Sequence, residues 1–142
     1  MVKLDPYLNF DGTCEEAFNF YKSVFGGELN GVMRMGDMEG MDVPEAYKDY
    51  VMHVSLQLGN NLLMGSDVIP GMGNPFQQGN SNYIYITADS REEADKLFNG
   101  LSAGGEIEMP MEDMFWGDYF GSFKDRFGIY WMIGYSFRSD TV

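Results

Sequence analysis

One device is written twice along this chain. Thr13-Cys14-Glu15-Glu16-Ala17 and Ser90-Arg91-Glu92-Glu93-Ala94 each put a hydroxyl residue three positions before a glutamate, the pattern of a capping box at a helix N-terminus. Apolar residues follow at helical spacing: Ala17, Phe20, Tyr21, Val24 and Phe25 in the first copy, Ala94, Leu97, Phe98 and Leu101 in the second. Gly26-Gly27 and Gly104-Gly105 stop the two helices, and both run on into Gly-Glu-aliphatic, at Gly27-Glu28-Leu29 and Gly105-Glu106-Ile107. A repeat of cap, stripe and stop restricts the fold to one built from two like units, each carrying one helix.

Strand-like stretches surround each helix. Tyr7-Leu8-Asn9-Phe10 and Tyr83-Ile84-Tyr85-Ile86 precede the helices. In the first half Leu29–Met35, Val51–Leu58 and Leu62–Ser66 follow, with a tight turn at Gly59-Asn60-Asn61; in the second, Glu106–Met111, Tyr119–Lys124 and Ile129–Tyr135. Leu58-Gly59-x-x-Leu62-Leu63-Met64-Gly65 lies over Phe127-Gly128-x-x-Trp131-Met132-Ile133-Gly134, which equates Leu63 with Met132. The expected fold class is α+β: two βαβββ modules, about 1–67 and 82–142, forming curled mixed sheets around a cavity in a single domain over 1–142, with a linker at 68–81. Two long stretches, Gly36–Tyr50 and Asp67 to Asn82, are either solvated connectors or functional loops.

A chain of 142 residues with 44% apolar content can bury a core. Its formal charge of −13, from 22 acidic and 9 basic side chains, disfavours nucleic acid and anionic membrane as partners. No apolar run approaches the roughly 18 residues that span a bilayer, and the opening residues turn polar at once, so the expected location is cytoplasmic. The lone Cys14 forms no intrachain disulfide; it sits in a first helical turn and is expected to be a small half-buried residue, not a nucleophile.

Alternation sorts each strand into a helix-packed side and an open side. Leu8, Phe10, Met52, Val54, Leu56, Leu58, Ile84 and Ile86 belong to the first. Tyr7, Asn9, His53, Ser55, Gln57, Tyr83 and Tyr85 belong to the second, and with Asp67, Tyr130 and Met132 they are expected to line a ligand cavity whose aromatic walls carry a few polar groups. Trp116, in a loop beside Gly117-Asp118, is placed at its mouth, whereas Trp131 is assigned to the core. His53 is the one imidazole available, so any histidine chemistry passes through it; as a candidate catalytic or ligand-contacting group it competes with the reading of a hydrogen-bonded strand histidine.

The repeated unit, with Pro6-Tyr7-Leu8-Asn9-Phe10-Asp11-Gly12, Glu16-Ala17-x-x-Phe20-Tyr21, Phe25-Gly26-Gly27-Glu28-Leu29, Met64-Gly65-Ser66-Asp67, Phe115-Trp116-Gly117-Asp118 and Asp125-x-Phe127-Gly128-x-x-Trp131, resembles the PhnB-like proteins of the vicinal oxygen chelate superfamily, which holds glyoxalases, bleomycin-resistance proteins and dioxygenases. Arg126 departs from the proline usual there. The resemblance implies a symmetric homodimer, with modules pairing within a chain or across it. It also places metal ligands of the metal-dependent relatives at Asp5, Leu63, Tyr83 and Met132. Leucine cannot ligate, and a thioether suits hard divalent ions poorly, so no metal and no cofactor are expected. Some PhnB-like members carry a methyltransferase label, yet no strand here leads into a Gly-rich, helix-opening loop of adenosyl-cofactor type. The expected function is binding of a small-molecule ligand, with a metal-dependent isomerase, lyase or dioxygenase on a non-standard site as the alternative.

Overall fold

Strand, helix and three further strands follow one another in each half: β1 Tyr7–Phe10, α1 Cys14–Phe25, β2 Glu28–Arg34, β3 Val51–Leu58 and β4 Asn61–Asp67, then β5 Ile84–Thr87, α2 Arg91–Ser102, β6 Glu106–Asp113, β7 Asp118–Lys124 and β8 Tyr130–Ser136. They are taken from a computed structural model that describes residues 2–138, and they fall into two units, Met1–Gln77 and Gln78–Val142. Each unit is a four-stranded mixed sheet, ordered β1-β4-β3-β2 in the first and β5-β8-β7-β6 in the second. The first strand of each unit runs parallel to the last, and the remaining pairs are antiparallel. This is the α+β architecture of two βαβββ modules.

One helix lies across one face of each sheet, α1 against β2, β3 and β4, and α2 against β6, β7 and β8. The face that α1 buries is Cys14, Ala17, Phe18 and Tyr21, a strict i, i+3, i+4, i+7 set. Phe18 therefore belongs to the core, and Phe20, Val24 and Phe25, expected inside, are only half-buried. Room for the Phe18 ring comes from Gly65 on β4, where a Cβ would stand 2.6 Å from its Cε1. Fully burying such a ring stabilises by about 1.5–3 kcal/mol. In α2 the expected stripe of Ala94, Leu97, Phe98 and Leu101 is buried as a set.

The two helix starts are built differently. Ser90 Oγ accepts the Glu93 N–H at 3.0 Å, the forward half of a capping box, while the Glu93 carboxylate reaches one residue further back and accepts the Asp89 N–H at 2.8 Å. Thr13 makes no such bond, which corrects the expectation for α1: its backbone is not extended, and its side chain caps nothing. Asp67, at the end of β4, does the work instead. Its Oδ1 accepts the Cys14 N–H at 2.9 Å and its Oδ2 accepts the Val51 N–H at 2.8 Å, so one buried carboxylate ties the helix start to the start of β3.

A second buried carboxylate shapes the other unit. Asp125 Oδ1 accepts the Phe127 and Ile129 N–H groups at 2.8 and 3.0 Å, and Oδ2 accepts the Trp131 indole N–H at 2.8 Å. The Asp125-x-Phe127-Gly128-x-x-Trp131 motif is thus a brace for the β7–β8 connection. Arg126 leaves that brace intact and donates from Nε to the Ala103 carbonyl at 3.1 Å.

The stretch from Gly36 to Tyr50 has structure of its own. It contains single 3-10 turns at Met35–Asp37 and Glu45–Tyr47, and Met35, Val43 and Ile69 form a small core against Tyr47, Tyr50 and Met52. Arg34 fastens it, with Nη1 and Nη2 on the two Glu15 carboxylate oxygens at 3.1 and 2.7 Å and Nη1 also on the Asp49 carbonyl at 3.1 Å. Ile69, from the expected linker, packs within the first unit, and Gln78 donates to the Gly128 carbonyl in the second at 3.0 Å.

Candidate functional site

The side of each sheet away from its helix carries the polar and aromatic residues, and the strand registers order them into rows. Across the first sheet Tyr7 on β1 faces Met64 on β4, Met64 faces Ser55 on β3, and Ser55 faces Asn30 on β2. Across the second, Tyr85 on β5 faces Met132 on β8, Met132 faces Ser122 on β7, and Ser122 faces Met109 on β6. Tyr-Met-Ser recurs at equivalent places. The row equates Met64 with Met132, and so corrects the equation of Leu63 with Met132. Leu63 is buried on the helix side, as Trp131 is. The reason lies in the turns: Gly59-Asn60 joins β3 to β4 in two residues, whereas five residues, 125–129, join β7 to β8. An odd difference in turn length swaps the two faces of a strand.

In the first unit the row is flanked by a ring pair. The Tyr7 hydroxyl lies 3.3 Å from His53 Nδ1, and the rings are 5.8 Å apart, tilted by 37°. His53 precedes Ser55 by two residues and so shares its face, beside Met33 on β2. Tyr7 is 46% exposed. Ser66 Oγ reaches Asn9 Oδ1 at 3.4 Å, and Asn30 Nδ2 donates to Ser55 Oγ at 3.3 Å. Gln57 turns along the strand, its amide donating to the Gly59 carbonyl at 2.7 Å. These groups offer donors and acceptors around one imidazole, enough to orient a polar molecule by hydrogen bonds.

The second unit is aromatic where the first is polar. Phe120, two residues before Ser122, stands where His53 stands in the first unit, and it stacks with Tyr85 at 6.2 Å and 28°. Trp116 meets the Phe120 ring at 6.2 Å and 64°, and Phe115 meets Trp116 at 5.0 Å. Tyr83 and Tyr130 form a further edge-on pair at 5.3 Å. The Tyr83 hydroxyl donates to Glu108 at 2.8 Å, a bond that raises its pKa above the ordinary tyrosine value.

Of the residues assigned to the site from sequence, Tyr7, Asn9, His53, Ser55 and Gln57 fall on the open side of the first sheet, and Tyr83, Tyr85, Trp116, Tyr130 and Met132 on that of the second. Asp67 does not join them: it is buried on the helix side, both carboxylate oxygens engaged by backbone N–H groups. Phe120, Asn30 and Met64 belong to the open faces and were missed. Tyr119-Phe120 gives two adjacent aromatics, so alternation alone could not say which one faces out.

The donor set for a metal does not assemble. Leu63 points to the helix side, and Asp5 spends Oδ1 on the Leu62 N–H at 3.1 Å and Oδ2 on Lys3 at 3.4 Å. Among the described residues, no three His, Cys, Asp or Glu side chains are placed to hold one ion. No helix among those residues is long and apolar enough to cross a membrane.

Comparison with known proteins agrees with this architecture. The family described as 3-demethylubiquinone-9 3-methyltransferase matches residues 2–134. Protein YjdN of Escherichia coli K12 is 30% identical over 93% of this chain and 94% of its own. Protein PA1353 of Pseudomonas aeruginosa is 38% identical with a TM-score of 0.86, over 96% of this chain and 98% of that one. The PhnB protein of Bacillus cereus is 26% identical with a TM-score of 0.75, over 95% and 100%. The fold extends to a glyoxylase/bleomycin resistance protein/dioxygenase domain of Frankia sp. EAN1pec, at 14% identity and a TM-score of 0.65, over 99% and 95%.

Proposed function

The chain belongs to the family described as 3-demethylubiquinone-9 3-methyltransferase, a PhnB-like family of the glyoxalase/bleomycin-resistance superfamily, and from that premise we propose that it is a metal-free binding protein for a small molecule taken up on the open sheet faces. The observation that carries this reading is the Tyr7–His53 pair, a hydroxyl and an imidazole nitrogen 3.3 Å apart on a face that the helix leaves uncovered. Whichever tautomer His53 adopts, Nδ1 is committed to Tyr7 and Nε2 takes the complementary donor or acceptor role toward a ligand. Met64 and Met132, the matched positions of the two rows, supply no oxygen or nitrogen side-chain donor, which speaks for binding without a metal.

The family's description names a methyl transfer, and the helix starts argue against a cofactor phosphate or carboxylate there. The Cys14 N–H already serves the Asp67 carboxylate, and the Glu93 N–H serves Ser90, so one first-turn amide of each helix is taken by the chain's own side chains. A homodimer fits the edge strands β1, β2, β5 and β6, which end the two sheets with unpaired backbone groups that a partner would cover. A cytoplasmic location fits the lone cysteine.

The reading is tested by a thermal-shift screen of small molecules against the protein and its His53→Ala variant. A hit at 100 times its dissociation constant adds about 2.7 kcal/mol. Hits that stabilise the parent and lose their effect in the variant support it. Stoichiometric Mn, Ni, Zn or Fe in the purified protein, removed by EDTA together with an activity, would overturn it in favour of a metal-dependent enzyme.

A further inference from the structure

The open face of the second unit is ringed by both aromatics and carboxylates, and we propose that it is a site for a planar organic cation, held by stacking on Tyr85, Phe120 and Trp116 and by the charges of Glu112 and Asp118. This deepens the small-molecule reading above and rests on it. Tyr85 and Phe120 lie close to parallel, at 28°, and form a floor; Trp116 rises from it at 64° and forms a wall. Tyr85 and Trp116 are 49% and 46% exposed, so their faces are presented to a ligand. The floor exists because β8 has Gly134 where Tyr85 crosses it: a Cβ there would strike the Tyr85 hydroxyl.

The charges sit at the rim of this floor. Glu112 on β6 pairs with Phe120 and so shares its side of the sheet, while the next residue, Asp113, faces the helix and binds Arg91 at 2.7 Å. Asp118 accepts the Trp116 indole N–H at 3.0 Å, which fixes the wall and leaves a negative charge beside it. With burial, that charge raises the Tyr85 pKa, keeping its hydroxyl protonated. Lys124 pairs with Glu106 at 3.6 Å, and the Arg138 guanidinium lies behind the wall, donating to the Phe115 carbonyl at 3.3 Å. Ring faces and carboxylates both attract a cation, whereas an anion is repelled by both. Planarity follows from the floor, which rewards a flat ring over a compact ammonium.

The experiment uses N-methylisoquinolinium and isoquinoline, the latter buffered so that it is uncharged, as two probes with the same flat ring system that differ in charge and one N-methyl group. Trp116 is the reporter, since Trp131 is buried in the core. The expected result is saturable quenching of the exposed tryptophan by the cation, at an affinity about ten-fold above that of isoquinoline. Glu112→Gln should remove about three-fold of that advantage and leave isoquinoline unchanged. Equal affinities, cation binding insensitive to Glu112→Gln, or binding without quenching would each overturn the inference while leaving the small-molecule reading standing. Failure of both probes to bind would overturn it too; the small-molecule reading is decided separately, by the His53→Ala screen.

Discussion

His53 in the first unit and Phe120 in the second occupy equivalent positions, each two residues before the serine of its row and each packed against the tyrosine of the unit's first strand. The same ring–ring pair is a hydrogen-bonding one in the first unit and a stacked one in the second. His53→Phe should therefore be tolerated by the fold, because it copies the pair already present in the second unit. We expect a melting temperature within about 3 °C of the parent, less than the shift from 1 kcal/mol. Ligands identified by the thermal-shift screen should bind about ten-fold more weakly, the worth of one lost hydrogen bond. Unchanged binding in calorimetry would remove His53 from the site.

Asp67 accepts two buried N–H groups, so its loss strands both. Asp67→Ala is expected to cost about 2–6 kcal/mol in urea unfolding, from about 1–3 kcal/mol for each of the two buried groups left unsatisfied. Thr13→Ala, at the residue that caps nothing, should cost less than about 0.5 kcal/mol. The reverse order would mean that α1 is capped in the ordinary way.

The Cys14 thiol is buried, and its pKa is pushed far up, first by desolvation and then by the neighbouring Asp67 and Glu15 carboxylates. It should not react with an aromatic disulfide reagent at neutral pH until the protein is unfolded. The sign of the linkage follows from a folded pKa above the unfolded one: the folded state holds the proton more tightly. Stability from this group is complete below the unfolded thiol value, about 8.5, and declines as pH rises beyond it. Cys14→Ser should flatten that alkaline decline, which denaturant midpoints measured across the alkaline range would show.

Gly134→Ala should force the Tyr85 ring from its place on Phe120, at a cost of about 1–3 kcal/mol for overpacking. Tyr85→Leu in the same chain should recover much of that loss, giving a coupling of about 1 kcal/mol or more in a double-mutant cycle. Additive effects would show that the two positions do not meet.

The architecture was legible because local signals agreed with one another. Helix stripe, glycine stops and strand alternation located α1, α2 and all eight strands to within two residues at each end, since each depends on neighbours close in the chain. Trp131 was assigned to the core by parity, and it is buried there. The facing of Leu63 was not legible, because it hangs on a turn length that the Gly59/Gly128 match conceals. Thr13 looked like a cap because the pattern Thr-x-x-Glu was complete, yet a capping pattern cannot reveal a competing acceptor 54 residues away at Asp67.

The sequence by itself determined two βαβββ units, their order along the chain, a strongly negative charge and a single imidazole, because these follow from composition, period and repeat. Only the tertiary structure decided that Asp67 serves the helix start and not the open face, that Tyr7 meets His53, and that Phe120 stands in the second unit where His53 stands in the first. Each of those facts depends on which strand lies beside which and in what register. Register is fixed by turns and by burial of one face, and a shift of one residue in it exchanges core for surface.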